Sequence, residues 1–414
     1  MAGTIGAAGI TGTTNKAPAA AKPRTPLLPS MPDPLAVVVV DPALAALGRK
    51  LFFDAGLSEP RGTSCAACHM PAQAFSGDHG SGLGVPLGSK PGSMGVRNTP
   101  SLLYLRYTPP RFFYQDDDAP QPSLFGGFFA DGRANTLAEQ AMVPLLNPME
   151  MNNRSARRVA AKLAQAYGTE MRAHFGRAIF AHPQQATAAA GSALEAFLRS
   201  EDMSPFSSRY DEHLRGKASL ADAELRGLRL FKDPDKGNCA SCHKFNDTSS
   251  NPARSLFTDF GYDAIAVPRN GNIPANRVPG HYDNGLCETA RKLAWQDPEQ
   301  WCGYFKTPSL RNVAARSHYM HNGVFDTLRD VVRFYATRAT RPGDWYTSNL
   351  TSGSGQKFDD VPAKYQVNIN VNSIPYNRRE GSRPALNDEE IDDIVAFLKT
   401  LTDAPYAAKA AQRK

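Results

Sequence analysis

No stretch of this 414-residue chain approaches the ~18 apolar residues of a membrane-spanning helix. The longest candidate, LAVVVV at 35–40, suffices only for a short strand or loop. A membrane span is therefore excluded. Nor is there a block of about five or six like charges. The 47 basic against 40 acidic residues leave a net charge of +7, and Arg154, Arg157, Arg158 and Lys162 read as the wet face of a helix. Nothing here has the clustered basic footprint of a nucleic-acid partner. Residues 1–35 are small, polar and proline-rich, without the basic and apolar regions of an export signal. They are expected to be a disordered leader.

Cysteine is scarce, six in all, yet four fall into two copies of one pattern. TSCAACHM (64–71) and NCASCHK (238–244) each hold C-x-x-C-H: Cys65, Cys68, His69 and Cys239, Cys242, His243. At this composition one such unit arises by chance on the order of once in five hundred chains, and two essentially never. Zinc would need ligand pairs converging on one tetrahedral ion. A histidine directly after the second thiol fits haem better: two thiols one turn apart bond one porphyrin, and the imidazole reaches its iron. The pattern predicts two covalently bound c-type haems. The remaining pair, Cys287 and Cys302, is expected to form a disulfide in an oxidising compartment, with buried reduced thiols as the alternative.

The residues before each unit also repeat. DPALAALGRKLFFDAGLSEPRGTSCAACH (41–69) parallels LADAELRGLRLFKDPDKGNCASCH (220–243). The first copy opens on Asp41 and Pro42, the second on Ser219 with Asp222 three later, both helix-start signals. Apolar residues then recur at helical spacing, Leu44, Leu47 and Leu51 in one copy and Leu225, Leu228 and Phe231 in the other. Closing helices are expected at 188–200 and at 386–403, the latter capped by Asn387 and Glu390. The predicted fold is mainly α: two cytochrome c-like haem domains, 36–215 and 216–414, with long irregular surface loops at 251–306 and 338–386.

With these units stand RNTPSLL (97–103), DGRANTLAEQAMVPLLNPMEM (131–151), FKTPSLRNVA (305–314) and YMHNGVF (319–325). Together and in this order they resemble the bacterial di-haem cytochrome c peroxidase family, MauG-like enzymes included. The resemblance runs from about residue 41 to 403, nearly the whole chain. It implies a peroxidatic haem on His69, with Glu150 as acid–base carboxylate and Gln140 as its pocket partner. It implies an electron-transfer haem on His243 with Met320 as the second axial ligand, Tyr319 and His321 being the rivals beside it. A thioether ligand favours ferrous iron and suits an electron entry port. The family also keeps a calcium ion between its domains. Asn98 matches its side-chain ligand, and the carbonyls of Trp301 and Gly303 lie where the others are expected.

The implied activity is reduction of hydrogen peroxide to water with electrons from a small periplasmic cytochrome c or cupredoxin. A MauG-like oxidation of a partner protein's side chains, or a non-enzymatic di-haem carrier, are the alternatives. A periplasmic location implies an export signal ahead of these residues, and homodimers are common among members. Two positions depart from the pattern. Lys90 stands where many members carry the histidine that blocks the first haem, so that haem is expected to be open at rest, with His79 solvent-exposed. Ala130 replaces a tryptophan between the haems, which predicts slow exchange between them.

Overall fold

The computed structural model describes residues 39–115, 122–346 and 357–412; the expected leader lies outside them. The fold is helix-rich with little sheet. Its helices are α1 (Pro42–Phe53), α2 (Cys65–Cys68), α3 (Leu137–Leu146), α4 (Ala156–Phe175), α5 (Pro183–Leu198) and α6 (Arg209–Leu214). They continue with α7 (Asp222–Lys232), α8 (Leu286–Lys292), α9 (Leu328–Thr337), α10 (Asp388–Lys399) and α11 (Ala407–Ala411). Two short antiparallel pairs complete it, β1 (Phe112–Tyr114) with β2 (Ser123–Phe125) and β3 (Tyr262–Asp263) with β4 (Phe305–Lys306).

Local chemistry sets the helix ends. Asp41 accepts the Ala43 amide at 2.9 Å and Pro42 opens the first turn of α1. Asn387 and Glu390 exchange side-chain bonds with each other's amides at 2.8 and 2.9 Å before α10. The start of α7 corrects the sequence reading. The cap is Ala221 rather than Ser219, and because alanine has no acceptor, Glu224 alone closes the turn on the Ala221 amide at 2.7 Å.

The sequence repeat becomes a repeated helix crossing. α1 packs on α5 and α7 on α10. A Cβ on Gly48 would lie 1.8 Å from the Ala193 carbonyl oxygen, and one on Gly227 would lie 1.9 Å from that of Asp393. Four residues beyond each glycine, Phe52 meets Phe197 at 5.3 Å and Phe231 meets Phe397 at 5.4 Å between ring centroids. Backbone touches backbone at both crossings, so each glycine is there for its missing side chain. Gly227→Ala is expected to cost at least about 2–3 kcal/mol by overpacking, measured by chemical denaturation. Gly343→Ala, where nothing lies within 4 Å of the added carbon, is the control; equal losses in the two variants would contradict the crossing argument.

Apolar packing forms two large clusters. One runs from Leu47 to Met203 with Leu256 and Ala315 added, the other from Tyr210 to Ala410. A fully buried polar network joins them. The Arg311 guanidinium pairs with Asp211 at 2.8 and 3.1 Å and lies over the rings of Tyr104 and Phe206. The Tyr104 hydroxyl and the Asn312 amide both donate to Asp403, at 2.7 and 2.6 Å.

The described parts of the segments 251–306 and 338–386 differ from the surface loops expected; residues 347–356 lie outside the described residues. They hold α8 and β3, and they bury Phe257, Ala264, Ala266, Val267, Ile273, Leu286, Tyr365 and Tyr376. Side-chain amides and guanidinia take up their irregular carbonyls: Asn322 donates to Pro268, Asn276 to Asn270, and Arg338 to Ile265. Irregular backbone is tolerable inside a protein when its polar groups are paired this way. Within this region Cys287 and Cys302 are bonded as a disulfide, both fully buried.

Candidate active site

The two C-x-x-C-H units fold alike. His69 sits at the C-terminal end of α2, its Nδ1 3.1 Å from the carbonyls of Phe75 and Pro100. His243 follows the turn Cys239–Ser241, its Nδ1 2.9 Å from the Phe257 carbonyl. A carbonyl at Nδ1 fixes the proton there and leaves Nε2 with a free lone pair, the arrangement a metal-ligating imidazole needs. Burial lowers both ring pKa values to about 4, so both rings are neutral near pH 7. Burial also pushes the thiols of Cys65, Cys68 and Cys239 up to about 12 and Cys242 to about 11. None of the four is in a disulfide.

Glu150 lies in the turn after α3. Its Oε1 accepts the Asn147 amide at 2.9 Å, and its carbonyl accepts the Ser89 amide at 2.7 Å. Burial raises its proton affinity above the usual carboxylate range, against the pull of Arg133 and of the Asn147 amide. Its charge acts on the thiols of both Cys65 and Cys68, which places it beside the first unit. Gln140 is buried on α3, and no hydrogen bond joins it to Glu150. It faces instead a central cavity of about 350 Å³, also lined by Cys239, Cys242, His243, Met320 and Ala130.

Tyr319, Met320 and His321 all reach this cavity. The Tyr319 hydroxyl donates to the Arg316 carbonyl at 3.1 Å, and the His321 ring stacks on Phe305 at 3.6 Å. Met320, at φ 68°, packs against the second core cluster. Asn98 and Gly303 line the cavity as well, whereas Trp301 packs against Phe113 and Trp295. The Asn98 amide donates to the carbonyls of His318 and Met320 at 2.9 and 3.2 Å, turning its Oδ1 away from them.

Lys90 is exposed. His79 is half-buried rather than solvent-exposed: its Nδ1 lies 2.7 Å from the Leu87 carbonyl, which Cys68 Sγ also approaches, at 3.9 Å. Ala130 is tied through its carbonyl to the Lys306 amide at 2.8 Å, and the neighbouring Phe129 ring lies under the Arg133 guanidinium at 3.5 Å. Sequence reading missed the ion cluster that links these motifs. Arg97, from RNTP, pairs with Asp131, from DGR, at 2.6 Å and with Asp283 at 2.6 and 2.7 Å. RNTP and DGR were each visible, but Asp283 belongs to no motif and lies 186 residues from Arg97.

Comparison with known proteins agrees with this geometry. Residues 42–219 match the di-haem cytochrome c peroxidase family. The methylamine utilization protein MauG of Paracoccus denitrificans is 37% identical over 372 residues, covering 88% of this chain and 90% of its own. The cytochrome-c peroxidase IdrP2 of a Pseudomonas species is 28% identical over 353 residues, covering 80% and 83%. Among solved structures, the diheme peroxidase BthA of Burkholderia thailandensis superposes with a TM-score of 0.86 at 54% identity, covering 91% of this chain and 90% of its own. The chain therefore belongs to the di-haem cytochrome c peroxidase family and is an oxidoreductase built to work with two haem groups.

Proposed function

We propose that this protein reduces hydrogen peroxide to water at a haem held by Cys65, Cys68 and His69. Electrons enter one at a time through a second haem held by Cys239, Cys242, His243 and Met320. The observation that carries this reading is Glu150, a shielded carboxylate of raised proton affinity acting on the thiols of the first unit. The residues fit the cofactor: four thiols outside any disulfide, two neutral imidazoles with Nδ1 engaged, and a cavity along the second unit. Such a haem, when bound, would supply the electrons that break the O–O bond. The protein supplies the proton path. With Oε1 held by Asn147, Glu150 Oε2 is the atom that accepts a proton from the near peroxide oxygen and returns it to the far one.

Met320 is the residue proposed to help hold the second haem, because the Tyr319 hydroxyl is engaged and the His321 ring is stacked. Met320→Leu is expected to abolish the near-infrared band of methionine-ligated ferric haem and lower that centre's potential; an unchanged band would remove Met320 from coordination. The first haem is proposed to be open, since Lys90 faces solvent. Calcium is proposed at Asn98 Oδ1 with the Gly303 and Trp301 carbonyls. The haem domains are proposed to span 36–215 and 216–414 and to work in the periplasm, with a small cytochrome c or cupredoxin as donor and a homodimer as the assembly. The test is steady-state turnover: peroxide consumption driven by a reduced donor supports the peroxidase. The 37% relative favours a second reading, peroxide-driven oxidation of side chains on a partner protein. Covalent change in a partner without donor turnover would select it.

A further inference from the structure

Three cations line the central cavity, and only one has its anion. Arg311, fully buried, is paired with Asp211. Lys306 and Arg316 form no ion pair with any described residue. The Lys306 ammonium rests on the Gly127 carbonyl, with the rings of Phe128 and Phe260 at 5.7 and 5.5 Å. Arg316 donates to the Thr99 carbonyl at 3.0 Å, and its buried Nε has no partner. Both side chains keep some accessible area although protein packs densely around them, because their open sides face the cavity. The carboxylates of that cavity are already engaged: Asp283 by Arg97, Asp360 by Arg269, and Asp263 by the Asn370 amide.

An enclosed charge without a counter-charge is destabilising, and buried charges are as a rule paired. Burial pulls the Lys306 pKa down to about 7, with only Asp259 opposing it, and lowers that of Arg316 as well. Asp259 makes no ion pair with Lys306; its Oδ1 accepts the Gly261 amide at 2.7 Å. Two such cations in one cavity call for an anionic occupant, and a c-type haem carries two carboxylates.

We propose that Lys306 and Arg316 are the counter-cations of haem carboxylates, Lys306 for the haem at Cys239, Cys242 and His243, and Arg316 for the haem at His69. The division follows their surroundings. The Asp259 amide donates to the Cys242 carbonyl at 2.8 Å, and Thr258 beside it donates to the carbonyl of Thr307, next to Lys306, at 2.7 Å. Arg316 acts on His69 and is bonded to Thr99, next to the Pro100 carbonyl that holds the His69 ring. The inference rests on the two-haem reading above and adds to it two positioning residues that set how readily each haem takes an electron.

The test is a potentiometric titration of each haem in Lys306→Met and Arg316→Met. Reduction adds negative charge, so removing a nearby cation disfavours it. Lys306→Met is expected to shift the reduction equilibrium of the second haem at least tenfold toward the oxidised form, about 59 mV for one electron, with little change at the first. Arg316→Met is expected to do the reverse, and Lys306→Arg and Arg316→Lys to stay near wild type. Unmoved potentials in a chain carrying both haems would overturn the assignment. Should a methionine variant mature with less haem, full loading in its cationic counterpart would support the assignment, and equally poor loading would overturn it. A wild-type chain without haem would contradict the two-haem reading itself, a result distinct from unmoved potentials.

Discussion

Glu150→Gln is expected to leave both haems attached and to slow the reaction with peroxide by about a hundredfold or more, the scale of lost acid–base help. Glutamine keeps the volume and can still meet the Asn147 side chain, so the turn after α3 should persist. What it loses is an oxygen that binds and releases a proton. The pH dependence gives an independent sign. Glu150 must be ionised to accept the first proton, and burial raises its pKa above the ordinary 4.5. The wild-type rate should therefore fall as pH drops through a value above 4.5, and that acid limb should vanish in Glu150→Gln. Stopped-flow measurement of the Soret change on adding peroxide, from pH 4 upward, reads both effects. A variant with wild-type rates and an intact acid limb would remove Glu150 from the mechanism.

The second large effect concerns stability. Arg311→Met strands the Asp211 carboxylate, which is wholly inaccessible, and frees the carbonyls of Ser255 and Pro252 that Arg311 also serves. Breaking a buried pair from one side typically costs about 3–5 kcal/mol, because the remaining charge has no water. Arg311 also stacks on Tyr104 and Phe206, so the loss falls where the two apolar clusters meet. Denaturant unfolding of the haem-loaded protein should show it. Asp211→Ala combined with Arg311→Met should cost clearly less than the sum of the single changes, since the second removes the charge the first strands. Additive costs would mean that the pair is not the source of the loss.

What could be read in advance was local. The haem units, the Asp41 and Asn387 caps and the apolar spacing within each helix all lie within a few turns of chain, where spacing alone carries the signal. The copy at 220–243 was legible as a repeat, but its helix start was misplaced by two residues because Ser219 resembles a cap better than Ala221 does. The cavity walls were misjudged for a related reason. Segments rich in glycine, proline and asparagine look like surface loops, and only long-range bonds such as Asn322 to Pro268 reveal that they are interior. FKTPSLRNVA stood out as a motif, yet nothing in its spacing shows that Lys306 lacks an anion while Arg311 has one. Those facts depend on partners about a hundred residues away.

The most direct test of the whole account is low-temperature electron paramagnetic resonance of the resting, fully oxidised protein matured with both haems. Two ferric signals in equal amounts are expected, one high-spin from the open centre at His69 and one low-spin from the centre at His243 and Met320. On adding peroxide, the high-spin signal should be lost first. Two low-spin signals, or a high-spin signal indifferent to peroxide, would contradict it.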